Sequence, residues 1–503
     1  MKESRTQNVK KNIFYGYVGT ILTSVLAVIC RTVFVYALGA KYLGISGLFA
    51  NVLGVLSFSE LGIGSAIVFA LYKPIAEDDT ETIKSLLALY KKAYRVIAVI
   101  VASIGLAIIP FLKYLVKTDI PMSEINIFYF IFLFNTVSSY FITYKTSYVT
   151  AIQKEYILTI TSTVGTITTS LVQIVFLLLG GQYLRYLLIA SLTGLIQKVV
   201  LVLYLNSKYP ILREKFAKPL NNEMKSGIWK NVRALIVHKI GDVSVHQTDN
   251  IIISSFISTT TVGLISNYTT LNSIIASFTN KFFFSFTASF GNMIAKESIE
   301  TQRYIFDVYD LLGFWIYGFV MIAFITLSQP FITLWLGKNL LVDNVTMVLF
   351  FVSLYLAGVT VIPYNFKVAA GKFNEDKWVA FAQAITNLVV SIVAVKAIGL
   401  PGIYVGTITS RMIVVIVRPY VVYKYILKKS ITGYYVRLIL RTLLAICLCV
   451  LLWQIEGIIL SQITIARFAL MCIITLIIPN AVFLLFFGKT AAFKDILFRI
   501  RRR

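Results

Sequence analysis

WKNVRALIVHKIGDVSVHQTDNIIISSFIS (Trp229–Ser258) is long enough to cross a bilayer. It nevertheless carries Lys230, Arg233, His238, Lys239, Asp242, His246 and Asp249. Its second half, Val243–Phe256, is mostly apolar and runs into Ile251, Ile252 and Ile253. At 100° per residue, His238, Asp242, His246 and Asp249 share an arc of about 80°, with Lys239 beside it and Arg233 pointing away. A charge at bilayer depth costs roughly 2.5–3.5 kcal/mol, so residues there face a wet cavity or a partner. Lys230 and Arg233, in the first two turns, read as headgroup-level residues that snorkel. Asp242, His246 and Asp249 lie deeper, and with Glu60 they are the candidates for proton or Na⁺ coupling.

The rest of the chain puts this stretch inside a membrane bundle. The 503 residues are 58% hydrophobic and only 14% charged, against about 25% charged in soluble proteins. Mean hydropathy is +0.82. The apolar runs are continuous and each long enough to span a bilayer, which fits transmembrane helices and not the alternating short strands of a barrel. A net charge of +25 reads as basic residues crowding the loops on one membrane face, not as a nucleic-acid site. Cys30, Cys447, Cys449 and Cys472 all fall in apolar runs and read as small buried hydrophobes. No cleavable signal peptide is evident.

Fourteen spans are expected, at about 13–38, 44–72, 88–112, 124–147, 156–179, 183–205, 229–258, 261–290, 304–327, 344–368, 376–396, 400–424, 434–453 and 466–487. An even number places both termini on one side. With that side cytoplasmic, 33 of the 47 Lys and Arg fall in interior segments and 7 in outer ones. The positive-inside rule then sets the orientation. No segment is large enough for a soluble catalytic domain, and no phosphate-binding glycine loop is present.

The second half echoes the first at an offset near 219. LGISGLF (Leu43–Phe49) enters span two and VGLISNY (Val262–Tyr268) enters span eight; PFLKYLVK (Pro110–Lys117) ends span three and PFITLWLGK (Pro330–Lys338) ends span nine. The expected architecture is an all-α polytopic membrane protein of two parallel six-helix bundles plus a helix pair. Residues 1–205 form an N-terminal lobe, 206–228 a linker, 229–424 a second lobe, and 425–503 two extra helices with a basic tail. Two such lobes facing each other make a central cavity for alternating access.

Within the spans, Arg31, Lys198, Arg233, Lys239, Lys281, Arg411 and Arg418 outnumber Glu60, Asp242 and Asp249. Buried cations without partners are expensive, so the surplus points to an anionic ligand, with phosphate or pyrophosphate the natural partner for Arg. Arg31, Lys281, Lys239 and Arg411 are the candidates to hold it. The plainer alternative is that each cation snorkels or pairs locally. Tyr17, Thr20 and Ser24 share the Arg31 face of span one, and Thr270 and Ser277 share the Lys281 face of span eight. Span five is rich in hydroxyls. Tyr17, Thr20, Ser24, Thr166 and Gln173 are candidates for sugar contact, with helix–helix bonding the competing role for span five. No compact metal-ligand spacing is present.

RTVFVYALGAKYLGISGLF (Arg31–Phe49), LGIGSAIV (Leu61–Val68) and DNIIIS (Asp249–Ser254) resemble the Wzx-like O-antigen and capsule repeat-unit flippases of the multidrug/oligosaccharidyl-lipid/polysaccharide (MOP) exporter superfamily. The resemblance covers essentially the whole chain. It implies a non-enzymatic transporter in the bacterial cytoplasmic membrane. The implied cargo is an undecaprenyl-diphosphate-linked oligosaccharide, turned from the inner to the outer leaflet for surface polysaccharide synthesis. It further implies membrane lipids, a polysaccharide polymerase and glycosyltransferases as partners. No cofactor is expected beyond coupling to an H⁺ or Na⁺ gradient or to the membrane potential. In the related lipid II flippases a cationic cavity lies between the lobes, and Arg31 and Lys281 match that pattern in kind. The alternatives are a MATE-like multidrug or cation exporter, which the in-membrane charge balance disfavours, and a membrane enzyme of envelope assembly, which the short outer loops disfavour.

Overall fold

A computed structural model describes residues 5–57, 63–214, 220, 224, 226–228, 247–372 and 375–501. Among these the regular structure is helical throughout, as the sequence predicts. The chain's contacts divide it into two units, Met1–Gly263 and Leu264–Arg503.

The first unit holds α1 (Arg5–Leu38), α2 (Ala40–Leu56), α3 (Ile63–Ala76), α4 (Thr80–Ile108), α5 (Leu112–Leu115), α6 (Met122–Ala151), α7 (Glu155–Leu178) and α8 (Tyr183–Lys208). A helical stretch at 247–256 follows (α9). Then comes α10 (Thr259–Phe284), whose first turn closes the unit. α1 stops at Gly39, whose φ of 85° suits a residue without a Cβ. The core is aromatic. Tyr90, Tyr94 and Tyr140 stack in series with centroids 6.1 and 6.2 Å apart, and the Tyr90 hydroxyl donates to the Gly64 carbonyl at 3.0 Å. Asn12 ties α1 to the α6–α7 turn. Its amide donates to the Gln153 carbonyl at 3.0 Å, and its oxygen accepts from the Tyr156 N–H at 2.7 Å. Removing both bonds with Asn12→Ala is expected to cost about 1–3 kcal/mol, read as a fall in the melting temperature of the purified protein.

The second unit holds the rest of α10, α11 (Thr287–Lys296), α12 (Ile299–Trp335), α13 (Asn344–Val359), α14 (Val361–Ala369), α15 (Lys377–Ile398), α16 (Leu400–Val422), α17 (Thr432–Ile459), α18 (Ile465–Phe487) and α19 (Ala491–Arg501). Its core centres on Phe306, which packs on Phe366 and Tyr423 with centroids 5.0 and 5.5 Å away. The sequence repeat reappears as a repeat of helix starts. α2 begins at Ala40 and α10 at Thr259, while α4 begins at Thr80 and α12 at Ile299. Both pairs keep the offset of the sequence echo. The related prolines behave differently. At Pro110 the helix tightens into a 3₁₀ turn, whereas α12 runs through Pro330 and buries it.

Eleven helices among the described residues are long and apolar enough to cross a membrane. The second expected span, 44–72, is described as α2 up to Leu56 and α3 from Ile63; residues 58–62 between them lie outside the described residues. The seventh, 229–258, is described only from residue 247. The eighth is α10, whose 26 residues are interspersed with Thr, Ser and Asn and fall below the apolarity of the eleven.

Candidate functional site

α1 carries the first cluster of predicted residues. One side of this helix packs on α7. A Cβ on the buried Gly19 would lie 2.7 Å from Thr163 Oγ1, and Asn12 lies on the same side, as does Cys30, whose thiol bonds with Ser170. At 100° per residue, the mean direction of Tyr17, Thr20, Ser24 and Arg31 is about 115° from that side. The face with the candidate cation and hydroxyls therefore turns away from α7. Arg31, Thr20 and Ser24 are half-buried and Tyr17 is exposed. Thr20 also donates to the Gly16 carbonyl at 2.8 Å.

The hydroxyl-rich α7 divides its residues. Thr169 donates to Thr193 at 2.8 Å, Gln197 of α8 donates to the Thr161 carbonyl at 3.0 Å, and the buried Gln173 donates to the Tyr186 carbonyl at 3.1 Å. These bonds join α7 to α8, the helix–helix role that competes with sugar contact. Thr166 is exposed. Lys198 is held by the Asn135 carbonyl at 3.1 Å and Ser138 Oγ at 2.7 Å.

α2 runs along α9 and the start of α10. Asn250 donates to Asn51 Oδ1 at 3.1 Å, and a Cβ on Gly54 would lie 2.7 Å from the Gln247 amide oxygen. The Thr259 N–H donates to the Lys117 carbonyl at 3.0 Å, and Lys117 Nζ reaches the Phe256 carbonyl at 3.4 Å. Asp249 is half-buried on α9. Glu60, Lys239, Asp242 and His246 lie outside the described residues, as do Lys230, Arg233 and His238. Lys41 Nζ on α2 stands 2.7 Å from Asp119 in the loop before α6 and holds that carboxyl below its ordinary value.

In the second unit the faces of α10 separate as those of α1 do. Ile265, Tyr268 and Phe283 are buried. Tyr268 donates to Gln329 at 3.0 Å, and Phe283 stacks on Tyr317 with centroids 5.6 Å apart. Thr270, Ser277 and Lys281 project to the opposite side of the helix; Ser277 and Lys281 are exposed and Thr270 is half-buried. Arg411 is placed otherwise. It is buried, and its Nη1 donates to the Ser353 carbonyl of α13 and lies 3.4 Å from Ser353 Oγ. Arg418 lies 3.9 Å from Asp376, with its guanidinium 4.9 Å from the Tyr364 ring centre, and Asp376 accepts from Lys367 at 2.6 Å.

Sequence reasoning misses one charged cluster. Asp307 and Asp310 lie on α12, inside an expected span, yet are not among the acids weighed there. Arg437 and Arg441 count among the interior-segment cations of the charge census, although the expected span 434–453 includes them, and they lie on α17. Arg441 contacts Asp310 at 2.6 Å and Arg437 contacts Asp307 at 2.8 Å. The available signal is the spacing, since acids three apart and bases four apart each fall on one helix face.

Each unit thus carries one candidate cation on a helix face shared with hydroxyls, Arg31 half-buried on α1 and Lys281 exposed on α10. Among solved structures the chain is similar to the lipid II flippase MurJ in an inward closed conformation, with TM-score 0.62 and 15% identity, covering 98% of this chain and 100% of that one. The fold is that of the MOP-superfamily transporters. A mutant of the Vibrio cholerae MATE transporter VcmN matches with TM-score 0.58 at 12% identity, over 84% of this chain and 99% of its own. A MOP superfamily transporter from Pyrococcus furiosus matches with TM-score 0.57 at 12% identity, over 85% and 98%. No protein-family profile and no curated protein sequence matches the chain. The MOP fold and the eleven candidate spans make this a multi-pass membrane protein. Its structural neighbours are named as transporters and a flippase, not as enzymes.

Proposed function

We propose that this protein flips undecaprenyl-diphosphate-linked oligosaccharide repeat units across the bacterial cytoplasmic membrane for surface polysaccharide synthesis. The observation that carries the reading is the placement of Arg31 and Lys281. Each stands on a helix face rich in hydroxyls, on the side of α1 turned from α7 and on the side of α10 opposite its buried residues. A guanidinium and an ammonium on such faces suit a diphosphate, and Tyr17, Thr20, Ser24 and Thr166 offer hydroxyls to sugars. Likeness to the lipid II flippase over 98% of the chain supports a lipid-linked cargo. The MATE transporters cover less of the chain, 78–85%. Arg411 and Lys239 remain diphosphate candidates, with Arg411 acting from its anchorage on Ser353. Asp249, with Glu60, Asp242 and His246, would couple the cycle to an H⁺ or Na⁺ gradient; the membrane potential is the other driving force. Both termini are assigned to the cytoplasm, where the Lys and Arg census puts them, alongside the glycosyltransferases that build the cargo and opposite the polymerase that uses it.

The test is reconstitution into liposomes holding a fluorescent undecaprenyl-diphosphate oligosaccharide, scoring the lipid that becomes accessible from the other side. The native protein is expected to accelerate exchange. Arg31→Glu and Lys281→Glu should each lower the rate by at least about tenfold at unchanged protein level, because they place a like charge against the diphosphate. Exchange no faster than in empty liposomes, with a proton or Na⁺ gradient imposed, overturns the reading. The likeness to MATE transporters makes cation export the second reading, and cation efflux from the same liposomes would then decide for it.

A further inference from the structure

The first unit gathers cations at the end where α6 finishes. Lys145 is only 7% exposed. Its ammonium donates to the Asn206 side chain and lies 5.6 Å from the Tyr144 ring centre. Lys91 of α4 lies 5.8 Å from the same ring, and Arg95 acts on the Tyr144 hydroxyl. Lys91 and Arg213 are close enough to repel the Lys145 charge. Among the described residues no carboxylate lies within ion-pair distance of Lys91, Lys145 or Arg213. Elsewhere the fold supplies one. Lys84 has Glu81 at 3.2 Å and Glu214 at 2.6 Å, and the buried Lys367 has Asp376.

A buried ammonium facing two more cations is unfavourable unless an anion joins them. The location says which anion. In α4 the charged segment up to Arg95 gives way to an uncharged apolar run from Val96. In α6 an uncharged run from Ile125 to Tyr144 ends at Lys145. The cations therefore sit where the apolar part of each helix stops, the depth of the bilayer headgroups. Lys91 and Arg213 are exposed and open to a ligand arriving from the bilayer. We infer that Lys91, Lys145 and Arg213 form a binding site for the headgroup phosphate of an anionic phospholipid. The phosphodiester accepts hydrogen bonds from the ammonium and guanidinium groups and neutralises the cluster. This site is separate from the cargo face of α1 and does not depend on the transport reading.

The test uses the full chain in detergent, given equal amounts of phosphatidylglycerol and phosphatidylcholine, with bound lipid read by native mass spectrometry. Phosphatidylglycerol is expected to be retained in preference. The double variant Lys91→Gln/Arg213→Gln, which changes exposed residues, should lower its retention about thirtyfold, the combined effect of two basic residues near a charged headgroup. Lys145→Gln should lower it further. Lys429→Gln/Lys489→Gln, which removes two exposed charges from the other unit, should leave it unchanged. Equal retention of the two lipids, or unchanged retention by the Lys91/Arg213 variant, overturns the site. Displacement of the lipid by inorganic phosphate at matched concentration would make it a free-anion site and overturn the lipid assignment.

Discussion

Asp310→Ala is expected to destabilise the second unit by about 3–5 kcal/mol, the usual result of stripping one partner from a buried ion pair. Asp310 and Arg441 touch at 2.6 Å with side chains 9% and 11% exposed. The Arg441 guanidinium also lies 5.6 Å from the Phe314 ring centre and 5.8 Å from that of Phe487, so it cannot swing into water when its carboxylate is removed. Arg441→Ala should cost a similar amount, by stranding Asp310. Asp307→Ala should cost no more than about 1 kcal/mol: its pair with Arg437 has side chains 40% and 38% exposed, and Arg437 keeps the Tyr423 hydroxyl at 3.1 Å. The apolar double variant Asp310→Leu/Arg441→Met should recover most of the loss, because it leaves no buried charge. Thermal unfolding in detergent, followed by a thiol-reactive dye, would report all four, since Cys449 on α17 is buried. Equal melting temperatures for Asp307→Ala and Asp310→Ala would show that burial does not set the cost of this cluster.

That cluster also marks the limit of what can be read from the chain. Apolar runs of bilayer-spanning length announce helices because every backbone N–H and C=O in a membrane must bond internally. The ends of α6, α7, α8 and α18 therefore fall close to expectation. A charge near a span end is different. Arg437 and Arg441 count among the interior-segment cations, and only their neutralisation by acids far earlier in the chain, on α12, makes them helix contacts. Among the candidate site residues, helical periodicity places Arg31 with Tyr17, Thr20 and Ser24, and Lys281 with Thr270 and Ser277. Periodicity alone does not reveal which side of each helix is occupied. Gly19 against Thr163 and Tyr268 against Gln329 supply that. Arg411 shows the converse: its sequence context matches that of Arg31, yet Ser353 on a separate helix engages it.

The repeat gives the other large effect. Leu43–Phe49 and Val262–Tyr268 align as sequence echoes, and within the first unit their glycines meet. A Cβ on Gly44 would sit 1.8 Å from the Thr259 carbonyl oxygen, and one on Gly263 would sit 1.9 Å from the Ala40 carbonyl oxygen. Ala40 and Thr259 are themselves related by the repeat offset, so the contact is reciprocal: each helix start places a carbonyl against the glycine of its counterpart. Small residues at such crossings let backbones approach closely, and a backbone carbonyl does not move aside as a flexible side chain would. Gly44→Ala and Gly263→Ala should each force the helix starts apart and cost about 1–3 kcal/mol, with Gly44→Val above that range. Both clashes are relieved by the same separation. The double alanine variant should therefore cost clearly less than the sum of the singles, a coupling of about 0.5–3 kcal/mol. Gly47→Ala is the control, because its Cβ would meet only the Val262 side chain at 3.3 Å, and its effect should be small. Melting temperatures of the single and double alanine variants give the cycle. Additive losses at Gly44 and Gly263 would mean that the two glycines act at separate places and that the repeat does not meet itself there.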